Sequence, residues 1–436
     1  MAVYLGVDLG TTHVKAMAWD AEDDRLYLAS APTPWVHRGQ QEMDGDALYG
    51  AALAVMHEAL SALSRPAPPV AVAIASMGES GLFVDGAGRE LTPMVGWLDI
   101  RGTTDSFYAL VRQYGAGALF RRTGMSPEPK YGIARMKVQR PPNSQVVYWL
   151  QAADYLLWRL SGGERATHPS LAARTMAFNL GKGDWDDELL GFAGLSRAAL
   201  PRLVAQPEIV ARVRNVGTRF DGAGVTVAGH DHGVAAYGAE LGPSAILDSS
   251  GTGEALIVMS RSPTFSEAAL RIGTMWQPAV STDDAGLVAG LIRVDGGGAA
   301  EAWARQTFGI TIDAQLLLPD EHPIFDPEGF GFGAARFYAL GGATPEALYA
   351  AVLDGVARHI GERIADVETL LGAHFPHVLM TGGAAHHHAW LTRRRQILAR
   401  PLKLMDPDEG VVFGAVRWAV AAAGQHALPA ATFSTP

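Results

Sequence analysis

The most regular hydrophobic pattern lies at the start of the chain, where short polar turns interrupt apolar runs. Tyr4, Leu5 and Val7 precede an acid and a glycine-threonine turn, and Val14 to Trp19 resumes the apolar run, which predicts strand, turn, strand. The acidic turn Ala21 to Asp24 then leads to a third strand, Arg25 to Ala29, closing an antiparallel meander. Apolar residues at helical spacing (Leu48, Leu53, Met56, Leu60) predict a helix over Asp46 to Leu63 that ends before Pro66. Val70 to Ser76 reads as a buried strand. Leu82 to Asp85, the turn Gly86 to Gly88 and the residues from Glu90 onward read as a hairpin.

The order of three strands, a helix and a strand is the opening of a ribonuclease-H-like sheet. Helical spacing returns over Asp105 to Tyr114 and Ala153 to Leu160, with a proline-rich stretch between them; Thr167 to Leu180 and Trp185 to Phe192 carry no evident chemistry. Val225 to Ala228 is a short buried strand followed by Gly229, His230, Asp231 and His232 and an apolar helix, Val234 to Ala239. Farther on, Val294 to Gly298 leads into a helix over Ala299 to Phe308. Thr344 with Pro345 behind it has the form of an N-cap and first helical position, opening a long helix through Leu348, Val352, Val356, Ile360 and Ile364. A strand (Val378 to Met380), a turn (Thr381 to Ala384), a helix (Ala389 to Ile397) and a closing helix (Val411 to Ala423) complete the pattern.

Candidate chemistry sits at the turns. After the first strand come Asp8, Gly10, Thr11 and Thr12, then Lys15 on the second strand. Glycine lets backbone N–H groups approach an anion, and the threonines add donors. An acid beside a phosphate requires an intervening cation, so the turn suits Mg²⁺ and a nucleotide's phosphates; an ordinary hairpin turn would look the same. The pattern recurs at Ala245 to Met259, where Asp248 precedes Gly251, Thr252 and Gly253 between apolar strands. Two such turns, each opening a similar half, imply a duplicated fold with the nucleotide between the halves. Glu79 and the set Trp97, Asp99 and Arg101 follow strand ends, where open α/β sheets place ligand groups. Carboxylates and a guanidinium can bind hydroxyls while an indole covers a sugar face; a surface ion pair beside a half-buried Trp is the alternative. Asp231 stands where a strand passes into a helix N-terminus, whose free N–H groups favour an ionised carboxylate able to accept a proton. A metal cluster of His230, Asp231 and His232 is the competing reading. The triplet His386 to His388 resembles a metal tract, but successive helical residues diverge by about 100°, and a solvated helix start is expected.

Composition narrows the class. A chain of 436 residues, 48% hydrophobic, can bury a large core and favours two or three domains. The net charge of −10 is spread along the chain, which argues against nucleic acid as the main partner. With no cysteine, disulfide scaffolds and Cys-ligated metals are excluded. No signal-like segment opens the chain, and the late apolar run Gly410 to Gly424 is cut by Arg417. The expectation is a cytoplasmic protein with neither a membrane nor a nucleic-acid partner.

In their order, these motifs resemble the FGGY carbohydrate kinases of the actin and hexokinase-like ATPase superfamily. VDLGTTHVKAMAWD is similar to the first phosphate motif, GWLDIRG to the Trp-x-Asp-x-Arg sugar segment, AGHDHGVAAYGA to the catalytic segment and DSSGTGEAL to the second phosphate motif. MTGGAAHHHAWLTRRRQILARPLKL with DEGVVFGAV resembles the adenosine motif. The resemblance implies an α/β fold of two ribonuclease-H-like (actin-like ATPase) domains with a central cleft, residues 1–226 and 227–436, whose closure excludes water. It implies ATP and Mg²⁺, and a small sugar or polyol (ketopentose, hexulose or polyol) as acceptor. Asp231 would be the base, Asp8 would hold Mg²⁺ through water, and Glu79, Trp97, Asp99 and Arg101 would bind the acceptor. Gly10, Thr11, Thr12, Lys15, Gly251, Thr252 and Gly253 would serve the phosphates, and Gly382, Gly383 and Ala384 the adenosine.

The chain also departs from the family. Met77, Gly78 and Glu79 stand where members carry Gln-Met-His or Gln-Arg-Glu, so the usual Gln and the basic neighbour are missing. The Lys-x-x-Trp signature is degenerate around Arg135 to Val138. Other members' edge strands support dimers; no self-complementary segment here predicts one, and a homodimer stays open. An actin-like or chaperone-type switch ATPase is the alternative from another class, and a phosphate binder that has lost catalysis is a third. The switch gives Asp231 and the Trp97 set no obvious purpose, and the retained Asp8 and Asp231 argue against the binder.

Overall fold

The structure is a computed structural model that describes residues 2–36, 41–64, 67–142, 147–217, 219–251, 253–284, 286–312, 318–330, 333–339, 341–383, 387–426 and 429–434. Thr252, Ala384 and His386 lie outside the described residues. The chain divides into two compact units. The first comprises Met1–Gly238, Met275–Ala289 and Val411–Ala430; the second comprises Ala239–Thr274, Gly290–Gly410 and Ala431–Pro436.

The first unit is built on a sheet whose meander, Val3–Leu9, His13–Asp20 and Arg25–Pro32, is the one the apolar alternation predicts. Ala71–Ser76 pairs in parallel with Val3–Leu9, and Gly224–His230 pairs in parallel with Ala71–Ser76 on its other side. All three parallel strands are buried throughout, which is why they are mainly apolar and show no alternation of apolar and polar positions. The helices Gly45–Ser61 and Ala152–Ser161 contribute Leu48, Met56, Leu60, Leu156 and Leu160 to the core against this sheet.

The second unit repeats the plan. Ile246–Ser250 pairs antiparallel with Glu254–Ser260 and parallel with Val378–Thr381, which in turn pairs in parallel with Leu402–Asp406. Sheet order in the first unit runs from Arg25–Pro32 through the meander to Gly224–His230. In the second it runs from Val288–Val294 through Glu254–Ser260 and Ile246–Ser250 to Leu402–Asp406, the same succession of strands. The fold is α/β with two ribonuclease-H-like units, and the duplication inferred from the two glycine turns is present. The Thr344 hydroxyl accepts from the Ala347 N–H at 3.3 Å, capping the helix Pro345–Leu371 as its sequence predicts. Among the described residues no helix is long and apolar enough to cross a membrane.

Candidate functional site

The C-terminal ends of the three parallel strands of the first unit bring its motifs side by side. Leu9 is registered with Ser76, and Ser76 with His230. The segment Met77 to Glu79 therefore lies between the turn after Asp8 on one side and Asp231 on the other. At that first turn the Gly10 N–H donates to the His13 carbonyl at 3.1 Å, and the Thr33 hydroxyl donates to the Gly10 carbonyl at 2.7 Å. A Cβ on Gly10 would lie 2.8 Å from the His13 oxygen and 3.6 Å from Asp8 Oδ2, so only glycine leaves this cradle open. Asp8 is buried and stands opposite Lys15 across the antiparallel ladder. Thr11 is half-buried and Thr12 exposed.

Glu79 is buried and forms an ion pair with Arg174, itself buried. Asp231 opens the helix Asp231–Gly238, with 22% of its side chain exposed, and its Oδ1 accepts from the His232 N–H at 2.7 Å. His230 Nε2 lies 3.1 Å from the same oxygen. Burial, with Arg174, His232 and Lys130 adding to it, holds His230 well below its ordinary value, so the ring is neutral and its Nε2–H faces the carboxylate. Burial pushes Asp231 above the ordinary carboxylate range; His232 opposes the shift, Glu79 adds to it and Arg174 opposes it. The helix N-terminus thus supplies the expected donor, but burial outweighs it. The result is a carboxylate with raised proton affinity, suited to accepting a proton.

Trp97 is half-buried, and its indole N–H donates to Thr11 Oγ1 at 2.8 Å, joining its segment to the glycine-threonine turn after Asp8. Asp99 and Arg101 bond chiefly to each other: Arg101 Nε lies 2.8 and 2.9 Å from the two Asp99 oxygens, and its Nη2 reaches Glu42 at 2.8 Å. This is the ion-pair alternative, although Asp99 itself is buried. Burial pushes Asp99 up, but the bonds from Arg101 hold it below its ordinary value. Two further cations join this group, one of them Arg135 of the degenerate signature. Arg135, buried, donates to the Asp99 carbonyl at 2.6 Å and to the Gly96 carbonyl at 3.3 Å, fixing the Trp97 loop; burial lowers it to about 10. Lys130, also buried, lies 5.8 Å from the Trp97 ring centre and 3.1 Å from Glu128.

In the second unit the parallel pairing of Ser249 with Thr381 sets the two glycine turns side by side. Gly382 has φ +98°, and a Cβ there would lie 2.4 Å from the Ser250 carbonyl oxygen; Gly251 donates its N–H to the Gly253 carbonyl at 3.2 Å. Gly383 is open. Beneath these turns Arg394 lies 2.6 Å from Asp248 and 2.6 Å from Glu254, all three fully buried. Burial, reinforced by Glu254, raises Asp248 well above its ordinary value. Arg393 is likewise buried, donating to Asp354 at 2.8 Å.

Two expectations need correction. His387 is not solvated: its ring Nδ1 caps the helix His388–Leu398 by accepting from the Trp390 N–H at 3.1 Å, and its Nε2 meets the Tyr349 hydroxyl at 2.8 Å. The stretch Thr167 to Leu180 is not silent either. It supplies Arg174, and Ser170, whose hydroxyl accepts the His230 N–H at 2.9 Å. An arginine inside the apolar run LAARTMAF was the available signal, because a buried cation needs a buried anion. Among the described residues no group of three or more His, Cys, Asp or Glu is arranged to hold a metal ion.

Residues 3–238 match the family model described as FGGY family of carbohydrate kinases, N-terminal domain, and residues 340–423 match its C-terminal domain. The chain is similar to the apulose kinase of Pectobacterium atrosepticum, 28% identical over 92% of this chain and 85% of that protein. It is also similar to the glycerol kinase of Thermus brockianus, 28% identical over 96% of this chain and 89% of that protein. Among solved structures, a xylulose kinase from Lactobacillus acidophilus superimposes with a TM-score of 0.86 at 19% identity, covering 100% of this chain and 93% of that one. A gluconate kinase from the same organism does so with a TM-score of 0.84 at 19% identity and the same coverage.

Proposed function

The chain belongs to the FGGY family of carbohydrate kinases, and on that footing we propose that it transfers the γ-phosphoryl group of ATP to a hydroxyl of a small sugar or polyol, with Asp231 as the base. The observation that carries the assignment of the base is the register of the three parallel strands, which sets Asp231 and Glu79 on neighbouring strand ends. As a carbohydrate kinase the protein is a phosphotransferase with an alcohol acceptor.

Asp231 accepts the acceptor hydroxyl's proton as the O–P bond forms, and ADP leaves with the electrons of the breaking bond. Transfer of this kind depends on positioning and charge neutralisation, so the main task of Asp231 is to direct the hydroxyl at the phosphorus. His230 and the His232 N–H hold its carboxylate in place. Glu79 accepts from a second hydroxyl, and the Trp97 ring covers an apolar sugar face. Asp99 and Arg101, bonded to each other, hold the Trp97 segment in place beside the acceptor. Gly10, Thr11, Thr12 and Lys15 at the turn of the first unit, and separately Gly251 and Gly253 at that of the second, suit a nucleotide's phosphates, and Gly382 and Gly383 suit its adenosine.

A buried carboxylate beside an open glycine cradle is an oxygen donor set that fits Mg²⁺, a hard cation that keeps part of its water shell. Asp8 would hold it, and the ion would supply neutralisation of phosphate charge. The kinship supports kinase chemistry across apulose, glycerol, xylulose and gluconate kinases, and the acceptor class proposed here is their common denominator. Mass analysis of an acceptor incubated with Mg-ATP and the protein tests the reading. A phosphorylated acceptor, absent with Asp231→Asn, is expected; ADP formed with no phosphorylated acceptor would refute it.

A further inference from the structure

We propose that Arg174 is the positioning residue of the acceptor site: its guanidinium holds the Glu79 carboxylate in one orientation beside Asp231, so that recognition of the sugar or polyol passes through this pair. The proposal rests on the kinase reading above.

Arg174 follows the short helix Pro169–Ala173 and is buried. A guanidinium offers five N–H donors, and here Glu79 is the carboxylate that answers them. Nη1 meets the thioethers of Met275 at 3.3 Å and Met125 at 3.7 Å, which are weak acceptors, and Nε has no partner among the described residues. The face of the guanidinium lies 5.4 Å from the Tyr131 ring centre. Removing Glu79 would strand a buried cation, and removing Arg174 would strand a buried anion. Each residue is therefore fixed by the other.

The backbone around the pair is built for this contact. Glu79 has φ +61°, a left-handed conformation that costs a non-glycine residue and persists only where surroundings enforce it. The residue before it is Gly78, and a Cβ there would lie 2.7 Å from Arg174 Cγ and 3.0 Å from His230 Cδ2. The volume that a side chain at position 78 would fill is taken by the Arg174 stem and the His230 ring. Arg174 thus brings a cation, from 95 residues away in sequence, to a segment that has no base of its own. The charged and titratable groups acting on Asp231 are His230, His232, Glu79 and Arg174, with Lys130 acting on His230. Losing Arg174 removes a cation that favours the Asp231 carboxylate.

The test uses the full chain with Mg-ATP and an acceptor that supports turnover, comparing Arg174→Gln, Arg174→Lys, Glu79→Gln and the double variant Arg174→Met/Glu79→Leu, with melting curves for all. The double variant removes both buried charges together and guards against simple misfolding. In each variant the acceptor KM is expected to rise about 10- to 100-fold, the scale of a lost hydrogen bond to a charged group, while the ATP KM stays within about twofold, inside the scatter of an uncoupled site. The double variant should cost no more than the worse single one, because residues acting as one unit are not additive. The acid limb of the kcat profile should move to higher pH in Arg174→Gln, with Lys restoring part of the shift. Multiplicative losses in the double variant, an unchanged acceptor KM in a folded Arg174→Gln protein, or equal rises in both KM values would each overturn the proposal. Wild-type ADP formation without any acceptor would remove the kinase reading and this proposal with it; acceptor-dependent turnover with an indifferent Arg174→Gln removes this proposal alone.

Discussion

The indole N–H of Trp97 donates to the Thr11 hydroxyl at 2.8 Å. One residue belongs to the segment proposed to bind the acceptor and the other to the turn proposed to bind phosphate, so a change in either should be felt by both substrates. Trp97→Phe keeps an aromatic face and deletes the donor. Its expected cost is about 1 kcal/mol, roughly fivefold in kcat/KM for acceptor and for ATP alike. Steady-state kinetics with each substrate varied checks this, and an effect on the acceptor alone would mean that the bond carries no coupling.

Asp231→Asn should lower kcat by about 10²- to 10⁴-fold with little change in either KM, as expected for loss of a proton acceptor. Burial raises Asp231 above its ordinary value of 3.8, so the carboxylate protonates sooner as pH falls. The acid limb of kcat should therefore lie above that value. His232→Gln should move the limb farther up, because His232 favours the ionised form. A limb at or below 3.8 would remove Asp231 as the group that titrates.

Arg394→Met leaves Asp248 and Glu254 buried against each other, and breaking a buried pair in this way costs about 3–5 kcal/mol. Thermal melting should detect it. Since the Asp248 carboxyl is raised in the folded protein, the folded state binds the proton more tightly, and its contribution to stability is lost as pH rises through the range above 3.8. Asp248→Asn should flatten that part of the stability profile.

Gly414 lies in the helix Gly410–Ala422, and a Cβ there would sit 2.1 Å from the Val234 carbonyl oxygen. Val234 belongs to the helix that Asp231 opens. Gly414→Ala should therefore cost about 1–3 kcal/mol by overpacking and lower kcat through displacement of that helix, both measurable on one preparation.

How much of this was legible follows the range of each interaction. The glycine turns after Asp8 and Asp248, the strand-to-helix junction at Asp231 and the Thr344 cap are set by residues within a few positions, and local pattern was enough to find them. Arg174, Arg135 and Arg394 could not be read the same way, since each answers a group between 36 and 146 residues away. Arg393 to Arg395 are three adjacent cations that look alike in sequence. On the helix, Arg393 and Arg394 turn inward to Asp354 and Asp248. A buried acid such as Asp248, inside an apolar strand, was the clue that an inward cation had to exist. His387 escaped for a related reason: its burial depends on Tyr349, on a helix far earlier in the chain.

The most direct measurement is acceptor-dependent ADP release from Mg-ATP across a panel of ribulose, xylulose, hexuloses, apulose, gluconate, erythritol and glycerol, with a control lacking acceptor. Turnover with one member or a small chemically related group, and near silence in the control, is the predicted result. ADP released at the same rate with and without every acceptor would contradict a sugar or polyol kinase.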